Sequence, residues 1–523
     1  MASLPDPSRK SSKRTAPEGR EEGEVEAGAG RVRKSAGGKG FENYGAALEF
    51  LKGRFNLEQS RPTLVNAGDV FNLDRMTGLM AALGDPQKDL RVVHVAGSKG
   101  KGSVCEMTAS ALQACGYGVG LYTSPHLMEL TERIRINGRE VPGGEFAGLL
   151  ERVAGAAEGL TKKLGEVTYF ELLTAVALMY FAEQAVDVAV VETGLGGRVD
   201  ATNVVKGEVC AITAIQKEHT HLLGDTLEKI AAEKAGIFKP GSACVTVPQE
   251  DGVLGVLRER AAAVGARVEA LNQEIDFSFR LEASKELGPH ARVCLASPRS
   301  NFEHLPVPLK GEHQAFNCGL VLAILDRLRE RGMDTPEKLV ARGLARTPSN
   351  GRLELVHDQP RVFVDGAHNP ESMAALVKSI GTHVRYDSMV VVFGCAADKD
   401  VPAMLSAIAM GADKIFFTRA EGSGRAADPR DLYRKFAETP GKMAQVSPSV
   451  REALRSAGNA VSRGDIILVT GSFAVAGEAK RLLREKYGGG GGGAGSKGAG
   501  PAGPVPTPMI EVRPPGKLAP RRA

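Results

Sequence analysis

Between Arg91 and Ser103 the chain reads RVVHVAGSKGKGS. Residues 91–95 are mostly apolar and β-branched, the composition of a short buried strand. Ala96 and Gly97 close the run, a turn rich in glycine and lysine follows, and residues 103–114 return to a helical pattern. Strand, glycine loop and helix in that order let backbone N–H groups at a helix start converge on a phosphate. Gly97, Gly100 and Gly102 allow close backbone approach. Ser98, Lys99, Lys101 and Ser103 add side-chain donors. Lys101 is placed to reach the outer phosphates, and Ser103 to orient them or approach Mg²⁺. The usual GxxxxGK[ST] spacing is not met, because Gly102 separates Lys101 from Ser103 and Val95 stands where the first glycine would fall. By pattern alone a plain glycine turn competes; the flanking strand and helix favour the phosphate loop.

Outward from this loop the same rhythm repeats. Apolar strands fit 119–122, 187–192, 210–215 and 242–247, and helical stretches fit 42–57, 168–181 and from 225 through Lys234. Continuous apolar strands alternating with helices indicate a mostly parallel sheet covered on both faces. Residues 274–310 break the rhythm, with Ile275, Phe277, Phe279 and Leu281 alternating as in an antiparallel excursion, before a helix over 314–328. A second series carries strands at 362–364, 390–393, 415–418 and 466–469. Its helices fit 370–379, 401–410, 429–436, 449–458 and 473–486. Pro348 and Gly351 mark 345–352 as a linker. The expected fold is α/β: a P-loop ATPase-like domain over 41–345, a smaller Rossmann-like domain over 346–487, and a cleft between them.

The ends differ from this body. Residues 1–40 are a disordered or targeting tail by composition, and 488–523, which open on a glycine run, a disordered one. The formal charge of +5 belongs to them: nine Lys/Arg face six Asp/Glu in the first, five face one in the second, and the body is slightly acidic. An acidic body without Trp offers little to a nucleic acid. No run of 18 apolar residues suggests a membrane span. Seven cysteines with no CxxC pair fit neither a disulfide framework nor a zinc knuckle. A cytoplasmic protein is expected, with a mitochondrial or plastid address as the alternative and a monomer as the default.

Polar residues cluster where the strands end. Glu192 closes one strand, at the sheet edge where open α/β folds place ligands, and a carboxylate there suits Mg²⁺. Asp365 closes another in the second series. Taken together, the motifs resemble the folylpolyglutamate synthase/dihydrofolate synthase family of Mur-ligase-like enzymes. The resemblance rests on GKGS at 100–103, TSPH at 123–126, the apolar helix at 168–174, ETGLGGR at 192–198 and DATN at 200–203. It continues through His219, LGDT at 223–226, EKAG at 233–236, GEHQ at 311–314 with Asn317, GR at 351–352, DGAHNP at 365–370, DKD at 398–400 and TGS at 470–472. It spans roughly residues 42–486.

The resemblance implies activation of a pteroate-type carboxylate by ATP and capture of the acyl phosphate by the amine of L-glutamate. The first substrate would be dihydropteroate or a reduced folate. It implies that Ser124, Glu192 and His219 hold Mg²⁺, that Lys101, His219 and Lys234 serve catalysis, and that Lys234 is a site for carbamylation. The nucleotide would meet residues 97–103, Asn317, Arg352, Asp365 and His368. Arg198, Asp200, Asn369 and Ser472 would organise loops or touch substrate. A monovalent cation is a further implied cofactor. The family usually has Asp before the histidine; here Glu218 precedes His219, and this, with the 168–174 stretch, favours dihydrofolate synthase activity with polyglutamation beside it. The alternatives are folylpolyglutamate synthase alone and a nucleotide- or folate-binding protein that has lost ligation.

Overall fold

In the computed structural model, residues 41–59, 72–437 and 442–487 are described; the tails expected at 1–40 and 488–523 lie outside them. Val92–Ala96 occupies an inner position of an eight-stranded sheet. The order is Arg139–Glu140, Ile134–Ile136, Val119–Tyr122, Val188–Glu192, Val92–Ala96, Gly207–Ile212, Ala243–Thr246 and Val268–Ala270. All neighbours run parallel except the first three strands, which pair antiparallel. Alternate residues serve opposite faces. Val93, Val95, Val190 and Val209 join a core with the helices Lys101–Ala114 and Glu312–Glu330, while Val92, Ala189 and Val191 pack with Gly143–Glu158 and Tyr169–Glu183. A strand covered on both faces needs apolar residues at every position, which is why these runs are continuous.

The expected antiparallel excursion is a three-stranded sheet of Asn301–Pro306, Gly288–Ala296 and Asp276–Ser284. Beyond it a six-stranded sheet is ordered Glu354–Asp358, Arg361–Val364, Ile466–Thr470, Met389–Phe393, Lys414–Phe417 and Met443–Val446, antiparallel only at its first strand. The fold is therefore α/β with a large, mostly parallel sheet and a second, C-terminal α/β layer. Among the described residues no helix is long and apolar enough to cross a membrane.

Two expected elements shift. The first helix is Tyr44–Lys52 rather than 42–57: Asn43 caps it, its Oδ1 accepting from Ala46 N, and it ends at Gly53. The strand expected at 210–215 is Gly207–Ile212. Past it the chain leaves the sheet, because the Ala214 carbonyl accepts from the N–H groups of Ser98 and Lys99 in the phosphate loop. That departure carries residues 213–219 to the site.

Candidate active site

The phosphate loop is shaped by what surrounds its glycines. Gly97 and Gly100 have φ of 143° and 96°, values that favour glycine, and Gly100 caps the helix Lys101–Ala114. A side chain at Gly97 would strike Thr213, one at Gly100 would strike Asn317, and one at Gly102 would strike the Arg352 guanidinium. Asn317 is in turn held by Gln314 (Nδ2 to Oε1, 2.9 Å), and Gln314 donates to Ser103 Oγ at 3.3 Å. Ser98 Oγ closes the other side, donating to the Gln216 carbonyl and accepting from the Gln216 N–H, both at 3.0 Å. Asn317 and Arg352, more than 200 residues away in sequence, are thus first neighbours of the loop.

Three lysines gather beside it. Lys101 Nζ donates to the Gly97 carbonyl at 3.0 Å, and Lys234 Nζ donates to the same oxygen at 2.8 Å. Lys234 is 1 % exposed and also donates to Glu218 Oε1 at 2.8 Å. Lys99 Nζ lies 3.3 Å from His368 Nε2 and 4.0 Å from Glu218. Burial brings both Lys99 and Lys234 down to about 8, against the pull of Glu218. For Glu218 burial pushes upward, but Lys234, Lys101 and Lys99 outweigh it and hold the carboxyl at about 2. The substitution that looked like a departure in the sequence is the counter-charge of this cluster. A carbonyl and a carboxylate around Lys234 Nζ form a cation's environment; a carbamate would set an anion against Glu218.

Glu192, 4 % exposed, ends its strand with Oε2 accepting from Ser124 N at 3.1 Å. Burial raises its carboxyl, and Lys101 and Arg352 oppose that. His219 sits at φ 46°, before the short helix Thr220–Leu223, and burial keeps its imidazole neutral down to about 4. These donors fit Mg²⁺ in part. A buried carboxylate facing the cleft suits a hard cation. Among the described residues, however, no three or more His, Cys, Asp or Glu side chains gather as a metal cluster. Ser124, Glu192 and His219 are therefore not a ready-made cage, and a cation held here needs phosphate oxygens and water to complete its shell.

Asp200 ties a turn together. Asp200 is buried and accepts from Leu195 N (2.8 Å), Thr202 N (3.0 Å) and Thr202 Oγ1 (2.5 Å). Arg198 pairs with Glu233 at 3.0 Å on the helix that bears Lys234, with its side chain largely exposed.

The C-terminal layer faces this wall. Asp365 accepts from Leu353 N (2.7 Å) and Ala367 N (2.8 Å), and burial lifts its carboxyl to about 6. Asn369 caps the helix Pro370–His383 by accepting from Ser372 N at 2.9 Å. Ser472 Oγ donates to the Gly394 carbonyl at 3.0 Å. Lys399, in the charged turn after a strand, lies beside Asp398, which Arg425 holds at 2.7 Å. Asp365, His368, Lys399, Arg425 and Ser472 line a cleft of about 1040 Å³ that also takes in the phosphate loop, Ser124, Glu192, Asp200 and His219, whereas Asn369, Arg198 and Lys234 are not part of its lining. Sequence reasoning missed the opposite corner, where Arg133 is buried between Glu58 (2.9 and 2.6 Å) and His126 Nδ1 (2.8 Å) and Arg425 donates to the Glu58 carbonyl at 3.0 Å. No local pattern marks Glu58.

Residues 95–325 match the Mur ligase middle domain and 351–473 the Mur ligase glutamate ligase domain. The Bacillus subtilis dihydrofolate synthase/folylpolyglutamate synthase is 34% identical over 415 residues, 79% of this chain and 95% of that protein. The chain belongs to the folylpolyglutamate synthase/dihydrofolate synthase family. It is an ATP-dependent acid–amino-acid ligase of the Mur type. Among other family members, the Saccharomyces cerevisiae dihydrofolate synthetase is 31% identical over 440 residues, 79% of this chain and 97% of that one. Mycobacterium tuberculosis folylpolyglutamate synthase complexed with ADP superposes with a TM-score of 0.76 at 31% identity, covering 84% of this chain and 98% of that one. E. coli FolC in complex with DHPP and ADP gives 0.73 at 28% identity, covering 85% and 98%.

Proposed function

We propose that this synthase joins L-glutamate to the carboxylate of dihydropteroate, and in addition extends reduced folates, using ATP and Mg²⁺. The observation that carries the reading is one cleft lined by Lys99 and Lys101 of the phosphate loop and by Arg352, Asp365 and His368 of the C-terminal layer, with Lys234 buried behind the loop on the Gly97 carbonyl.

The pteroate carboxylate oxygen attacks the terminal phosphorus of ATP. The bond to ADP breaks and an acyl phosphate forms. The glutamate amine then attacks the acyl carbon, loses a proton, and phosphate leaves as the amide forms. Gly97–Ser103 backbone donors and Lys101 hold the triphosphate and stabilise its developing charge. Arg352, beside Gly102, faces the same phosphates. Bound Mg²⁺, held by Glu192 with Ser124 and His219 nearby, would neutralise phosphate charge. Lys234 fixes the loop through the Gly97 carbonyl. Closure of the cleft orders both substrates and keeps water from the acyl phosphate. A monovalent cation and a cytoplasmic, monomeric enzyme complete the reading.

Purified protein with ATP, Mg²⁺, L-glutamate and either dihydropteroate or tetrahydrofolate tests it, with mass spectrometry identifying each amide. Glutamate added to both acceptors supports the reading. Addition to tetrahydrofolate alone rejects the preferred substrate, and no addition to either rejects the ligase. K101A, with its fold retained, should lose both activities.

A further inference from the structure

The helix Pro370–His383 ends on an imidazole with both nitrogens engaged. His383 Nδ1 lies 2.7 Å from the Pro289 carbonyl oxygen, and Nε2 lies 3.2 Å from the Gly311 nitrogen. The partners fix the tautomer. A carbonyl oxygen only accepts, so Nδ1 carries the proton; a peptide N–H only donates, so Nε2 offers its lone pair. The ring must be neutral for both bonds to exist.

What it holds is the start of another helix. Gly311 is the cap residue of Glu312–Glu330, at φ 115°, and has no side chain with which to cap. The joint is tight: a Cβ on Gly311 would meet His313 and, at 2.7 Å, Ser379 Oγ. One turn on, that helix presents Gln314 to Ser103 and Asn317 to Gly100. The clamp therefore joins the C-terminal layer, the three-stranded sheet and the element that braces the phosphate loop. At its other end the helix Pro370–His383 follows His368, whose ring meets Lys99.

We propose that His383, as the neutral Nδ1–H imidazole, is a positioning residue for nucleotide binding: it pins the helix that presents Gln314 and Asn317 to the phosphate loop. This rests on the phosphate loop's binding ATP. A ring donating from both nitrogens would set a second donor against the Gly311 N–H, so the clamp requires the neutral tautomer. Lys378 and Arg385 flank it on its own segment, with Lys378 paired to Glu312 at 2.6 Å. Lys310, Glu312 and His313 surround Gly311. His290, with Glu282 3.4 Å away, adjoins Pro289. Burial lowers the His313 pKa.

The test compares wild type, H383A and H383Q in the full chain, reading KM for ATP, kcat, and ADP affinity by calorimetry. Glutamine supplies one donor and one acceptor. At pH 8, loss of one buried hydrogen-bonded clamp in H383A should raise KM for ATP and weaken ADP binding roughly fivefold to tenfold, with kcat changed less than about twofold. H383Q should recover most of this. H383Q as impaired as H383A overturns the proposal, as does an H383A enzyme whose ADP affinity and KM for ATP equal those of the wild type. If the wild type ligates neither acceptor, the functional reading fails while ADP affinity still decides the clamp; if it binds no ADP, both fall.

Discussion

Gly102→Ala isolates the contact between the phosphate loop and the C-terminal layer. Gly102 is buried in the first turn of Lys101–Ala114 and is not among the positive-φ glycines. Alanine there strains no backbone, and helix propensity favours it by up to about 1 kcal/mol. The added methyl would lie 3.4 Å from Glu192 Oε2, an ordinary contact, but would overlap the tip of the Arg352 guanidinium. That tip ends a flexible side chain, so the fold persists and the guanidinium moves by roughly 1 Å. A misplacement of that size in a charge-stabilising group costs about 10²-fold in rate. The expected outcome is a drop of about 10² in kcat/KM for ATP, with a melting temperature within about 4 °C of wild type. Steady-state ligation followed by mass spectrometry, beside a thermal scan, measures both. The R352A background gives the decisive control. If the methyl acts through Arg352, G102A adds little to R352A, because the two changes remove one interaction. Full activity in G102A, or penalties that multiply in the double variant, would refute the reasoning.

Glu218→Gln should destabilise the protein by about 3–5 kcal/mol, the usual result of leaving one partner of a buried pair uncompensated, because Lys234 is 1 % exposed; E218D, which keeps the charge, should melt closer to wild type in a thermal scan. Asp365 should make stability depend on pH with a defined sign. Its folded carboxyl stands at about 6 against an unperturbed 3.8, so the stabilisation from its bound proton is complete below the lower value and lost as pH rises through the higher one. Melting temperatures of wild type minus D365N should therefore fall between pH 4 and pH 7; a flat difference would place Asp365 in a more polar setting.

The sheet strands were legible because burial on both faces forces continuous apolar runs, as at Val188–Glu192, where observed and expected limits differ by one residue. The helix Tyr169–Glu183 was legible for the same reason, with Thr168 and Glu171 capping each other. Short edge strands such as Arg139–Glu140 and Glu354–Asp358 were not, since an exposed edge places few demands on composition. At the site, motif residues located the loop and strand ends, but not who touches whom. Asn317 and Arg352 reach Gly100 and Gly102 only through the packing of distant elements. Asn369 and Ser472, marked in the sequence as loop or substrate residues, also have local duties as a helix cap and a hydrogen bond to Gly394. Sequence similarity marks that a residue matters without separating these duties from ligand contact.

The three lysines divide their labour by what else each can hold. Lys101 and Lys234 donate to one carbonyl oxygen, that of Gly97. Two ammonium groups sharing an oxygen repel by about 4 kcal/mol at 4 Å in a medium of effective dielectric 20. Lys234 has a second, charged partner in Glu218 and is buried; leaving would abandon both the carboxylate and the carbonyl. Lys101 has the Gly97 carbonyl as its hydrogen-bond partner and is partly exposed to the cleft. On the proposed reading an arriving triphosphate would draw Lys101 away at little loss and relieve the repulsion, while Lys234 would stay and keep the loop in place. Lys99, held near His368, bridges toward the C-terminal layer. The methylene that Glu218 adds over aspartate extends the carboxylate's reach toward Lys234, 2.8 Å away, so the departure at this position belongs to the buried lysine rather than to Lys101.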